Sequence, residues 1–159
     1  MSQLSSSYIL QDSLGYLLTQ AKRQIGQSLQ QLFEQAGHDI TREQWVVLLA
    51  LWEQDGRNQR DIAAWVGKDK TSVTRLIHGL ERRNLVVRVQ HQVDRRNKLI
   101  YLTKAGKDLQ KALIDEAQRN LEIAQEDIDP QELAICKKVL RQVSHNLSNY
   151  WEQAPQKLS

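Results

Sequence analysis

The stretch RVQHQVDRRNKLIYLT, residues 88–103, decides the fold. Leu85-Val86-Val87-Arg88-Val89-Gln90 is rich in β-branched residues, and Lys98-Leu99-Ile100-Tyr101-Leu102 is a second short apolar run. Two such runs joined by a short polar segment read as a β-hairpin. Near the tip stand Asp94, Arg95 and Arg96. A cationic tip adds nothing to a core and suits contact with an anion.

The residues before the hairpin are helical. Asp69 is a capping residue, and after it Val73, Leu76, Ile77 and Leu80 fall at i, i+3, i+4 and i+7. At about 100° per residue the opposite side shows Thr71, Arg75, His78 and Arg82, with Ser72 and Thr74 flanking. No acid lies on that face, whereas a merely solvated helix usually mixes signs at i, i+4. Before it, Asn58 caps a short helix with Ile62, Ala63 and Val66 inward, stopped by Gly67. Earlier still, Thr41-Arg42-Glu43-Gln44 is a capping box opening a helix that buries Trp45, Leu48, Leu49 and Trp52 and ends near Asp55-Gly56.

Helix, short helix, helix, hairpin is the order of a winged helix-turn-helix, whose second paired helix lies in the DNA major groove. Thr71, Thr74 and Arg75, near the start of that helix, are then expected at base edges, and Lys70 and Ser72 at phosphates. Gln59 and Arg60 would pin the DNA backbone. His78 either contacts DNA or is solvated. On the wing, Arg95 or Arg96 can enter the adjacent minor groove, where negative potential concentrates. Asp94 would orient an arginine and shape the turn.

Long amphipathic segments flank this unit. The first carries Leu14, Leu18, Ala21, Ile25, Leu29 and Leu32 and closes at Gly37; Thr103 starts another with Leu109, Leu113, Leu121 and Ala124. Pro130 opens the last, where Leu133, Cys136, Leu140, Val143, Leu147 and Tyr150 alternate steps of three and four. Stripes of this length call for a partner, so a homodimer is expected. The expected fold is mostly α with a small β-hairpin wing. Residues 39–103 form the winged DNA-binding domain, and residues 1–38 with 104–159 form the helical dimerisation region. Cys136 is expected to be buried in the heptad seam, inert toward redox chemistry.

Composition agrees. The 159 residues are 40% hydrophobic and 26% charged, as in soluble globular chains. The single cysteine, the lack of a long apolar run and the lack of a signal-like start point to a cytoplasmic protein with no membrane partner. The net charge of +3 is uneven: residues 55–104 hold twelve Lys/Arg against five acids, so the flanks are acidic. A basic middle suits a polyanion, here double-stranded DNA. His38, His78, His91 and His145 lack metal-ligand spacing, and no phosphate-binding or nucleophile motif is present, so neither metal, cofactor nor catalytic residue is expected. A small aromatic or lipophilic effector would find Tyr16, His38, Trp45 and Trp52, although the same residues suit a filled core.

Asp94 to Thr103, followed by Lys104-Ala105-Gly106, resembles the wing signature D-x-R-x-x-x-[VIL]-x-L-T-x-x-G of the multiple antibiotic resistance regulator (MarR) family. TSVTRLIHGLERRNLVVR, residues 71–88, resembles that family's recognition helix and first wing strand. Ile40-Thr41 stands where the family's second helix opens with Leu-Thr. The resemblance implies a triangular homodimer, binding to palindromic operators, and repression that a small molecule relieves. It makes Asp94 and Arg96 the wing pair, Arg96 being the minor-groove residue. Peroxide-sensing members carry a reactive cysteine near the N-terminus; here that region has Tyr8 and Tyr16 but no cysteine. Two other readings stay open: a winged-helix module for protein interaction, and a regulator answering redox state.

Overall fold

A computed structural model describes residues 9–90, 92–93 and 98–157, with side chains to residue 153. After a 3-10 turn at Leu10–Asp12 the elements are α1 (Leu14–Gln35), α2 (Arg42–Glu53), β1 (Arg57–Asn58), α3 (Gln59–Val66), α4 (Lys70–Arg82), β2 (Val86–Gln90), β3 (Lys98–Leu102), α5 (Lys104–Ala124) and α6 (Pro130–Lys157). The chain forms two compact units, the first ending at Glu122 and the second beginning at Ile123.

The helix starts are those the capping residues dictate. The Thr41 hydroxyl accepts from the Gln44 amide at 3.1 Å, and the Gln44 side chain accepts from the Thr41 amide at 3.1 Å, a closed capping box. Asn58 caps α3 through the Asp61 amide, and Asp69 caps α4 through the Ser72 amide, both at 2.8 Å. Gly67 ends α3 in the left-handed region, φ 66°, where a Cβ would be strained.

The hairpin β2–β3 pairs Val86 with Leu102 through Gln90 with Lys98. The sheet has a third strand that the sequence reading missed: β1 pairs antiparallel with β3, Arg57 opposite Ile100 and Asn58 opposite Leu99, giving the order β1-β3-β2. Inward residues Val86, Ile100 and Leu102 join a core with Leu48, Leu51, Ile62, Val73, Ile77 and Leu80.

That core also takes Leu29 and Phe33 from α1 and Leu113 from α5, so the winged segment shares its interior with the flanking helices. Helix α2 is its centre. Beyond Trp45 and Leu48, it buries Val47, Ala50 and Leu51, while Leu49 and Trp52 are only half-buried. Gln44 lies over Gly79 of α4, where an added Cβ would come within 2.6 Å of its Nε2. In the single chain Cys136 is exposed on α6, as are Leu147 and Tyr150, and α6 carries no buried residue among those described.

Two glycines test this packing from opposite sides. A Cβ at Gly106 would collide with the Leu85 carbonyl oxygen, a backbone atom that cannot turn away. Gly15, inside the first turn of α1, meets nothing within 4 Å. Gly106→Ala should lower stability by about 1–3 kcal/mol, and Gly15→Ala should raise it by roughly 0.5–1 kcal/mol. Urea denaturation of the two variants checks this; equal midpoints would refute the packing at Gly106.

Candidate nucleic-acid interface

Helix α4 has the two-faced character its spacing predicts. Val73, Ile77 and Leu80 are fully buried and Leu76 is half-buried, whereas Thr71, Arg75, His78 and Arg82 are exposed. Lys70 is exposed at the first turn, and Arg60 is exposed on α3. Arg75 and Arg82 make no ion pair among the described residues. Their guanidinium groups keep their five-donor fork for an outside acceptor.

Three candidate base-edge or phosphate donors are already engaged within the chain. The Thr74 hydroxyl donates to the Lys70 carbonyl at 2.8 Å and accepts from Gln59 Nε2, which also lies 3.4 Å from the Lys70 carbonyl. What Thr74 can offer outward is therefore its methyl group, a partner for a thymine methyl. Gln59, placed by sequence at the DNA backbone, spends its amide on fastening the start of α3 to the first turn of α4. Ser72 is likewise committed: its hydroxyl donates to Asp69 Oδ2 at 2.8 Å, and its amide donates to Asp69 Oδ1. These bonds, the Ser72 amide first and the Ser72 hydroxyl next, hold the Asp69 carboxyl below its ordinary value.

At the other end of α4, Glu81 draws charge inward. Its Oε2 accepts from Arg88 Nε at 3.0 Å and lies 3.4 Å from His78 Nδ1. Arg88 is largely buried on β2 and joins helix to wing instead of reaching for solvent. Arg83 pairs with Asp39 in the loop after α1. Arg57 is similarly structural, bonded to the Ala50 carbonyl at 2.9 Å and to Glu53 at 2.6 Å. Of the basic residues in residues 55–104, then, Lys70, Arg75 and Arg82 face outward from α4, while Arg57, Arg83 and Arg88 are structural. Asp94, Arg95 and Arg96 lie outside the described residues. Lys98, the first described residue of β3, is exposed.

The four residues expected around an effector have different surroundings. Trp45 is buried edge-to-face between Phe33 and Trp52, at centroid distances of 5.5 and 5.6 Å, and Trp52 Nε1 donates to the Gly106 carbonyl at 3.0 Å. Trp45 belongs to the core, and the half-buried Trp52 packs against it. Tyr16 accepts a hydrogen bond from Gln20 on α1. His38 lines a shallow pocket of about 260 Å³ with Arg83, Leu85 and Leu109. Among the described residues there is no group of three metal-ligating side chains, and no helix is long and apolar enough to cross a membrane.

This geometry has relatives. A model of the MarR family matches residues 40–98. The homoprotocatechuate degradative operon repressor of Escherichia coli is 28% identical over 141 residues, which cover 89% of either chain. The solved structure of BpsR from Bordetella bronchiseptica, whose DNA binding is regulated by 6-hydroxynicotinic acid, matches with a TM-score of 0.77 and 26% identity over 86% of this chain and 96% of that one. A MarR-family regulator from Rhodococcus sp. RHA1 matches with a TM-score of 0.76 and 28% identity over the same shares. The winged helix-turn-helix thus matches the MarR family over residues 40–98, and most of the chain is similar in sequence and fold to transcriptional regulators of that kind.

Proposed function

We propose that the chain is a cytoplasmic repressor that binds a palindromic operator as a homodimer and releases it when a small aromatic molecule binds. The acid-free outer face of α4 carries this reading. Arg75 there would read a guanine through O6 and N7, Thr71 and the Thr74 methyl would face neighbouring bases, and Lys70 and Arg60 would hold phosphates. His78 and Ser72 would sit at the edges of that contact, and Gln59 would act through Thr74. On the wing, Arg96, with Asp94 setting its direction and Arg95 beside it, would enter the minor groove.

Dimerisation falls to residues 1–38 and 104–159. Supporting it are exposed apolar side chains on the two long helices: Leu14 and Leu17 on α1, and Ile135, Val139, Leu147, Tyr150 and Trp151 on α6. Large apolar surface of this kind is stable in water only when covered. For the effector, support comes from the regulation of BpsR by an aromatic acid.

Selection of bound molecules from a random pool of duplex DNA should enrich a palindrome with half-sites about one helical turn apart. No enrichment at low salt by the ligand-free protein would sink the proposal. On the selected site, Arg75→Ala should cost about 1–3 kcal/mol and relax the choice at one base pair. Arg96→Ala should instead weaken binding to all sequences and flatten the dependence of log K on log salt by about one unit. Affinities unchanged in both variants would remove these roles.

The Asp69 cap adds a pH signature. Because its folded-state pKa is lowered, its contribution to stability is complete above the ordinary carboxylate value and is lost as pH falls through the lower folded value. Asp69→Asn should therefore leave stability independent of this group in acid, and thermal melts from neutral pH into that range should converge with those of the parent chain. Curves that stay parallel would mean that Asp69 does not titrate with folding.

A further inference from the structure

His78 and Glu81 lie on α4 where its outer face borders the wing. Glu81 Oε2 accepts from Arg88 Nε at 3.0 Å and stands 3.4 Å from His78 Nδ1. Arg88 is only 17% exposed and belongs to β2, so the carboxylate it holds is a fixed neighbour of the imidazole. The His78 side chain is 57% exposed, and its second nitrogen, Nε2, meets no partner among the described residues. One ring nitrogen is turned to the chain, and the other is left for an outside partner.

The charged neighbours of the ring among the described residues are Arg75 and Arg82, about one turn before and after it on α4, with Glu81 beside it and Arg88 behind Glu81. Two other helices meet α4 through neutral side chains, α2 by Gln44 over Gly79 and α3 by Gln59 on the Thr74 hydroxyl. A neutral imidazole carries one N–H, and an acceptor fixed beside one nitrogen decides where that hydrogen sits. With Nδ1–H drawn to Glu81, the outward Nε2 of the neutral ring is a bare lone pair. It repels phosphate oxygens and the O6 and N7 acceptors of guanine. Protonation turns the same nitrogen into a charged N–H donor, the partner a phosphate requires. Arg75 and Arg82 oppose a third cation on the helix standing alone, and a phosphate laid against the face reverses that balance.

We propose that His78 is a proton-dependent DNA contact: Glu81 holds its Nδ1–H, and its outward Nε2 takes up a proton as the face of α4 closes on a phosphate. Glu81 is then a positioning residue, acting through His78. This reading rests on the DNA-binding function proposed above and adds a dependence on pH. The bound state holds the extra proton. Log K therefore rises as pH falls through the range where imidazole titrates, and is level on either side of it.

The test uses the full chain and the duplex selected above, with affinity read by fluorescence anisotropy between about pH 8.5 and about pH 5.5. The parent should bind roughly tenfold or more tighter at the acid end. The slope of log K against log salt should be steeper there by about one unit per copy of the chain. His78→Gln, which cannot titrate at this exposed position, should lose both effects although His38, His91 and His145 remain. His78→Lys should keep the acid-end affinity throughout. In the chain without DNA, nitrogen NMR shifts of the His78 ring should report the Nδ1–H tautomer at the alkaline end, changing to Nε2–H in Glu81→Ala. A pH profile shared by the parent and His78→Gln overturns the proposal, as does an Nε2–H tautomer in the parent or tighter binding at the alkaline end. DNA binding that ignores pH overturns this inference alone. A chain that binds no DNA at any pH overturns the proposed function, and this inference with it.

Discussion

The position of the wing depends on one half-buried carboxylate. Asp55 Oδ1 accepts from the Gly56 amide at 3.1 Å and from the Leu102 amide at 2.8 Å, and its Oδ2 lies 3.6 Å from Lys107 Nζ. One side chain thereby joins the turn after α2, the end of β3 and the first turn of α5. Gly56 must be glycine for this: its φ is 72°, and a Cβ would come within 2.7 Å of the Tyr101 ring. The Trp52 indole, bonded to the Gly106 carbonyl, and the Thr103 hydroxyl, which donates to the Asn84 carbonyl at 2.7 Å and accepts from the Gly106 amide at 3.0 Å, complete the joint. A wing is a lever, and a small rotation at its root moves its tip by ångströms. Directional hydrogen bonds at the root restrict that rotation in a way that contacts among apolar side chains do not.

The same division between apolar burial and polar aiming recurs at α4. Val73, Ile77 and Leu80 drive the helix into the core and contribute most of the energy that keeps it there. They do not by themselves fix its rotation. Gln59 on the Thr74 hydroxyl, Gln44 over Gly79, and Glu81 with Arg88 do so from three sides. Each consumes a polar side chain that a reading by composition would count as available for DNA. The outward remainder, Lys70, Thr71, Arg75 and Arg82, is smaller than the basic content of the segment but aimed in one direction.

What was legible in the sequence was local. Both partners of the capping box sit three residues apart, and the α4 stripe repeats within two turns, so neighbours in sequence determine both. The strand β1 was not legible: two residues, Arg57 and Asn58, have no pattern of their own, and only their distant partners Ile100 and Leu99 make them a strand. The contacts of Gln59 and Arg88 were illegible for the same reason, since a polar residue reveals whether it faces solvent or an internal acceptor only through a contact outside its own element. Trp45 and Trp52 suit pocket or core by sequence, and their edge-to-face contacts with each other and with Phe33 were not legible there. The heptad of α6 was legible as a stripe, and its members Cys136, Leu147 and Tyr150 are exposed in the single chain.

Residues 25 and 26 of α1 each meet another helix. Gly26 carries the Arg42 guanidinium on one side; beside it, the Ile25 carbonyl accepts from Asn120 Nδ2 of α5 at 3.1 Å. Asn120 is 2% exposed and its Oδ1 has no partner among the described residues. A buried amide of which only one half is bonded costs about 1–3 kcal/mol relative to a satisfied one, so this level of the α1–α5 seam is less firmly set than an all-apolar contact would be. Helix α5 in turn begins at Lys104, inside the joint formed by Asp55, Trp52 and Thr103.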